Sequence, residues 1–111
     1  MEIGIDLVKI SRFEDHLKFA NKILSGSEYS LYLGAIDKSE YVASRFCLKE
    51  AFIKCLKIGI LDIDLKTIVV AKERSGAIHI EYEGKIFKAS LSHEKEYCVG
   101  VVIYDWYIFW S

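Results

Sequence analysis

The stretch Ala77-Ile78-His79-Ile80-Glu81-Tyr82-Glu83-Gly84-Lys85-Ile86 decides the fold class. Ile78 and Ile80 alternate with His79 and Glu81, the period of two expected of a strand with one buried face. Glu83-Gly84-Lys85 then turns the chain, and Ile86 to Ser92 reads as the returning strand. Further on, Tyr97 to Tyr104 is another apolar strand. Upstream, Leu65 to Lys72 holds Ile68, Val69 and Val70 and reads as a strand that reaches the hairpin through a tight turn at Ser75-Gly76.

Before this run of strands the periodicity changes. Ile3, Ile5, Leu7 and Val8 predict a short first strand. Ser11 with Glu14 has the spacing of a capping box and predicts a helix from about Arg12 to Leu24. Ser25 with Glu28 repeats the signal before a short helix carrying Tyr29, Leu31 and Tyr32, ending near Gly34. Asp37 with Glu40 opens the longest helix, reaching about Lys57 and closed by Gly59. Its apolar positions Val42, Phe46, Ile53 and Leu56 predict one buried face, with Glu50 and Lys54 on a stripe at its edge. One strand, then helices, then strands predicts an α+β domain with a mainly antiparallel sheet rather than a doubly wound parallel one.

The 111 residues fit a single domain, 1–111, large enough to bury an ordinary core. An apolar share of 52% with 28% charged residues excludes a disordered or collagen-like chain. Fifteen basic and sixteen acidic residues give a net charge of -1, which argues against a nucleic-acid binder while leaving room for a local basic patch. The most hydrophobic stretch, Tyr97 to Trp110, is only 14 residues long and contains Asp105, too short for a membrane span of about 20 residues. With no signal-peptide pattern after Met1, a soluble cytoplasmic protein is expected. Cys47, Cys55 and Cys98 form no CxxC pair and read as buried thiols, a reactive nucleophile being the alternative.

Three segments carry polar residues that their apolar settings do not require. Asp6 lies in or at the end of the first strand, where an unpaired carboxylate is costly to bury. It is either a turn residue bonded to local amides or part of a site. Arg45-Phe46-Cys47-Leu48-Lys49-Glu50-Ala51-Phe52-Ile53-Lys54 is either a helix with a solvated, ion-paired face or a carboxylate metal ligand flanked by ammonium groups that hold phosphates. In Ser90-Leu91-Ser92-His93-Glu94, His93 either caps a turn, bonds a phosphate or acts as a base. No phosphate loop, GxGxxG, GxSxG or HExxH motif occurs, so any phosphate chemistry must be assembled from scattered residues.

Taken in order, these segments resemble the holo-acyl-carrier-protein synthase family of small bacterial 4′-phosphopantetheinyl transferases. Gly4-Ile5-Asp6-Leu7-Val8-Lys9-Ile10-Ser11-Arg12 is similar to the family's Gly-x-Asp opening. Arg45 through Cys55 matches its R-F-A-x-K-E-A-x-x-K-A helix, with cysteines at two alanine positions. Ser90-Leu91-Ser92-His93 and the strand after it match the closing element, and Phe19 to Glu28 the stretch between. Two departures stand out. The family's Gly-Thr-Gly-like loop is reduced to Lys57-Ile58-Gly59. The tail Asp105-Trp106-Tyr107-Ile108-Phe109-Trp110 is unusually aromatic, as a subunit contact would be.

The resemblance implies transfer of the phosphopantetheine arm of coenzyme A to a serine of apo-acyl carrier protein, releasing adenosine 3′,5′-bisphosphate. It implies Asp6 and Glu50 as ligands of Mg2+, Glu50 and Lys54 as catalytic groups, and Arg45, Lys49, Ser92 and His93 as coenzyme A contacts. Arg12 would meet the carrier protein, and the assembly would be a homotrimer with active sites at subunit interfaces. A module of the same fold that binds coenzyme A or a carrier protein without turnover is the alternative.

Overall fold

The computed structural model describes residues 1–57 and 63–105. Strand β1 (Glu2–Lys9) runs through a 3-10 turn (Ile10–Phe13) into helices α1 (His16–Ile23), α2 (Gly26–Leu33) and α3 (Lys38–Leu56). After a second 3-10 turn (Leu65–Thr67) come β2 (Val69–Lys72), β3 (Ile78–Tyr82), β4 (Lys85–His93) and β5 (Tyr97–Tyr104). The five strands form one sheet in the order β1-β5-β4-β3-β2, and every neighbouring pair is antiparallel. This is the expected α+β class.

Local chemistry accounts for most boundaries. Ser25 and Glu28 form the predicted capping box at the start of α2, and Gly34 closes that helix. Asp37 accepts a hydrogen bond from the Glu40 amide, fixing the start of α3. The β3–β4 turn has positive φ at both Glu83 and Gly84, as a two-residue hairpin of this twist requires.

Two boundaries differ from expectation. The first helix does not begin at Arg12: Ser11 lies inside the 3-10 turn and makes no cap, and α1 starts at His16. Tertiary contacts outweigh the local signal there, because Ile10 and Phe13 are buried and the Ile10 amide bonds Glu96 O at 2.8 Å. Likewise Leu65–Thr67 is a 3-10 turn held by Asp64, which shortens the predicted strand. Gly59 and residues 106–110 of the aromatic tail lie outside the described residues; the left-handed residue that ends α3 is Lys57, with φ 58°.

Helix α3 is the centre of the molecule. One flank packs on β1 and β5, the other under α1, α2 and the Leu65–Thr67 turn, so it buries far more than one face. Val42, Cys47, Leu48, Ala51, Phe52 and Cys55 are all buried, whereas the predicted core residues Phe46 and Leu56 are half-buried. The expectation of buried thiols holds for all three cysteines. The other sheet face is open: Ile3, Ile5 and Leu7 are 59%, 59% and 64% exposed. They pair in register with Ile103, Val101 and Val99 of β5, making a continuous apolar strip.

Candidate active site

Two glycines let α3 sit against the sheet. A Cβ at Gly4 would lie 1.8 Å from the Ala51 carbonyl oxygen and 2.5 Å from the Cys55 amide nitrogen. Gly100, which pairs with Asp6, has Leu48 Cδ2 at 3.1 Å and Cys47 Sγ at 3.3 Å from the same hypothetical atom. The Gly-x-Asp spacing therefore has a local physical meaning. Gly4 admits the helix backbone, and Asp6, one full strand repeat later, lies on the same face of β1 beside the helix.

At that seam the Lys54 ammonium donates to Asp6 Oδ1 at 2.7 Å and to the Ile5 carbonyl at 3.2 Å. The Asp6 side chain is 15% exposed and that of Lys54 55%. The bond to Asp6 raises the Lys54 pKa above the ordinary lysine value. Burial, and then the charge of Asp6, push the Glu50 carboxyl above the usual glutamate range, while Lys54 and Arg12 pull it back. Arg12 also lies over the rings of Phe13 and Phe46, with centroid distances of 5.6 and 5.5 Å. Asp6, Arg12, Glu50 and Lys54 thus form one electrostatic cluster. A carboxylate whose ionisation is opposed by a neighbouring carboxylate suits a hard divalent cation, which takes one or two carboxylates and completes its shell with water and phosphate oxygens. Among the described residues no group of three or more metal-ligating side chains occurs, so a cation here relies on such outside oxygens.

Arg45 and His93 lie elsewhere. They line a groove of about 660 Å3 between the start of α3, the end of α2, the β2–β3 hairpin and β4. The Arg45 guanidinium stacks 4.2 Å from the Tyr41 ring centroid and donates to Ser44 Oγ at 3.0 Å, yet its Nε is buried without a partner. Arg45 and Glu50 are five residues apart on α3, about 140° around its axis. Asp6 stands on the edge strand and His93 on β4, with β5 between them. A single copy does not bring the groove and the carboxylate cluster together.

Lys49 faces neither site. Its side chain is 0% exposed, and its ammonium donates to Glu28 Oε1 at 2.6 Å, to Leu65 O at 2.9 Å and to Ile23 O. With three acceptors inside the core, the amine has no open side for a ligand, which corrects the expectation of a coenzyme A contact. Burial lowers its pKa, and the charge of Glu28 opposes that shift. Glu28, 1% exposed, also accepts from the Ser25 and Val70 amides at 2.8 and 2.6 Å. Sequence reading found Glu28 as a helix cap; nothing local announced that it neutralises Lys49. Ser92 is exposed on the open sheet face, across from Val99, so within one copy it is on the opposite side of the sheet from His93.

Residues 2–102 match the model of the 4′-phosphopantetheinyl transferase superfamily. A holo-[acyl-carrier-protein] synthase of Oceanobacillus iheyensis is 32% identical over 112 residues, covering 93% of this chain and 94% of that protein. Among solved structures, the synthase of Bacillus anthracis in complex with CoA (3′,5′-ADP) is similar at a TM-score of 0.83, with 33% identity, 91% of this chain and 92% of that one. The Helicobacter pylori synthase in complex with coenzyme A gives a TM-score of 0.79 and 33% identity, covering 91% and 97%.

Proposed function

This chain belongs to the 4′-phosphopantetheinyl transferase superfamily, and from that premise we propose that it is a holo-[acyl-carrier-protein] synthase built as one transferase domain over residues 1–111. It transfers the 4′-phosphopantetheine arm of coenzyme A to a serine of apo-acyl carrier protein and releases adenosine 3′,5′-bisphosphate. The observation that carries the reading is the convergence of Asp6, Glu50 and Lys54 at the β1–α3 seam.

Each residue has a role that its surroundings support. Asp6 and Glu50 would hold Mg2+, which when bound would supply positive charge to offset that of the diphosphate. The Glu50 carboxylate takes the proton of the attacking serine hydroxyl. The serine oxygen bonds to the phosphorus that carries pantetheine as the bond to the bridging oxygen breaks. Lys54 stays protonated beside Asp6 and neutralises the departing phosphate. Arg45 and His93 receive the nucleotide phosphates in the groove they line, with the Arg45 guanidinium oriented by Tyr41 and Ser44. Arg12, exposed at the rim of the carboxylate cluster, meets the acidic surface of the carrier protein.

The separation of groove and cluster within one chain has a simple remedy. Copies packed through the apolar strip Ile3, Ile5, Leu7, Val99, Val101 and Ile103 close into a homotrimer, and each active site takes its carboxylates from one copy and its groove from the next. Ser92, on that same face, then contacts coenzyme A across the interface. Substrates of this kind place the enzyme in the cytoplasm. Among the described residues no helix is long and apolar enough to cross a membrane.

The test is incubation with coenzyme A, Mg2+ and an apo-acyl carrier protein. A gain of one phosphopantetheine arm by mass, abolished in Glu50→Gln with the fold retained, supports the reading. No gain with a working control enzyme removes it.

A further inference from the structure

The groove that holds Arg45 contains a carboxylate that an anion site does not need. Glu40 Oε1 lies 3.4 Å from His93 Nε2, with its side chain 24% exposed and that of His93 50%. A bare acid facing a phosphate would repel it, so its presence beside Arg45, His93 and Lys72 calls for a physical reason. The ordinary reason for an acid in the first turn of a helix is the helix dipole and the cap. At α3 the side-chain cap is supplied by Asp37, whose carboxylate accepts from the Glu40 amide at 3.0 Å, while the Glu40 carboxylate turns to the imidazole.

We infer that Glu40 is a positioning residue for coenzyme A binding: it holds Nε2 of His93 and leaves Nδ1 as the nitrogen that meets a ligand phosphate. The inference rests on the proposed use of this groove for coenzyme A. Among the described residues no group bonds His93 Nδ1. With a carboxylate on one nitrogen and a phosphate on the other, both nitrogens must be donors, a pattern only the imidazolium provides. Glu40 therefore fixes the ring's rotation from the start of α3 and leaves Nδ1 free for the ligand. Net attraction to the ligand comes from Arg45 and Lys72, and orientation from His93.

The sign of one measurement separates this from simple repulsion. Steady-state KM for coenzyme A and kcat are read for the wild type, Glu40→Gln, His93→Gln and the double variant, with melting temperature alongside. Glu40→Gln is expected to raise KM about threefold to fivefold, the size of one half-exposed ion pair, with kcat within twofold. In the His93→Gln background the same substitution should leave KM unchanged or lower it, because without the ring Glu40 is only a bare acid facing the phosphate. An unchanged or lowered KM in Glu40→Gln overturns the inference. So does an equal loss in both backgrounds, which is the signature of a capping or folding role. If the wild type binds coenzyme A without transfer, the proposed activity fails, and the same four proteins titrated with coenzyme A by calorimetry still decide the role of Glu40. Absence of coenzyme A binding by the wild type overturns both.

Discussion

Gly4→Ala tests the seam on which the chemistry depends. The added methyl would sit 1.8 Å from the Ala51 carbonyl oxygen and 2.5 Å from the Cys55 amide nitrogen, both backbone atoms of a buried helix. No rotamer change relieves a backbone clash, so β1 and α3 must separate by roughly an ångström or more. Overpacking of a core costs about 1–3 kcal/mol, and a clash with two rigid partners belongs at the upper end. At about 4 °C per kcal/mol for a chain of this size, melting should fall by roughly 12 °C. The larger effect is on chemistry. Asp6 lies two residues along the displaced strand, and its 2.7 Å contact with Lys54 spans the seam. A misplacement of about 1 Å in a positioned site can cost about 100-fold, so phosphopantetheine transfer, followed by mass on an apo carrier protein, should drop by that order. Gly100→Ala provides the comparison, since its new methyl meets the Leu48 and Cys47 side chains at 3.1 and 3.3 Å and these can move. The reasoning fails if Gly4→Ala melts and turns over like the wild type, or if Gly100→Ala proves the more damaging change.

Three further outcomes follow from the buried and titrating groups. Lys49→Met leaves the Glu28 carboxylate buried without its cation and should cost about 3–5 kcal/mol in urea unfolding, whereas the Glu28→Gln/Lys49→Met double variant should recover at least half; a single-variant loss under about 1 kcal/mol would discredit the pair. Glu50 has a raised folded pKa, so its ionised form weighs against the folded state at neutral pH and that penalty lifts as pH falls through the raised value. Without added divalent ions, Glu50→Gln should therefore melt at or above the wild type at pH 7.5 and lose that advantage near pH 4; a clearly lower melting temperature at pH 7.5 would contradict it. His79 bonds Glu81 at 3.0 Å and Glu73 at 3.2 Å, the Glu81 bond being the larger cause of its raised pKa. Its contribution is complete below the ordinary imidazole value near 6.5 and disappears as pH climbs through the raised one. The urea midpoint of the wild type should thus exceed that of His79→Gln at pH 6 by more than at pH 9, and a constant gap between the two would argue against it.

How far the site could be read from sequence depended on the range of the signal. Asp6, Glu50 and Lys54 are tied by periodicities of two and four to a strand face and a helix stripe, and these place them at one seam once strand and helix touch. The capping box at Ser25 and Glu28 was equally local. Lys49 misled because it adjoins Glu50 in a charged motif, and adjacency on a helix means a turn of about 100° away. Its acceptors lie 16 to 26 residues distant and no local pattern encodes them. Ser92 and His93 are adjacent in sequence, but neighbours on a strand face opposite ways, so only the sheet shows that one chain parts them.

Sequence by itself determined the order of elements, the antiparallel class of the sheet and the chemical kinds available to the site, because each follows from contacts within a few residues. Tertiary structure decided which flank of α3 each charge occupies, that Lys49 belongs to the core and that the groove and the carboxylates stand apart in one chain. Those outcomes depend on how buried faces pack against one another, and a helix covered on two sides carries no single stripe from which its rotation can be read.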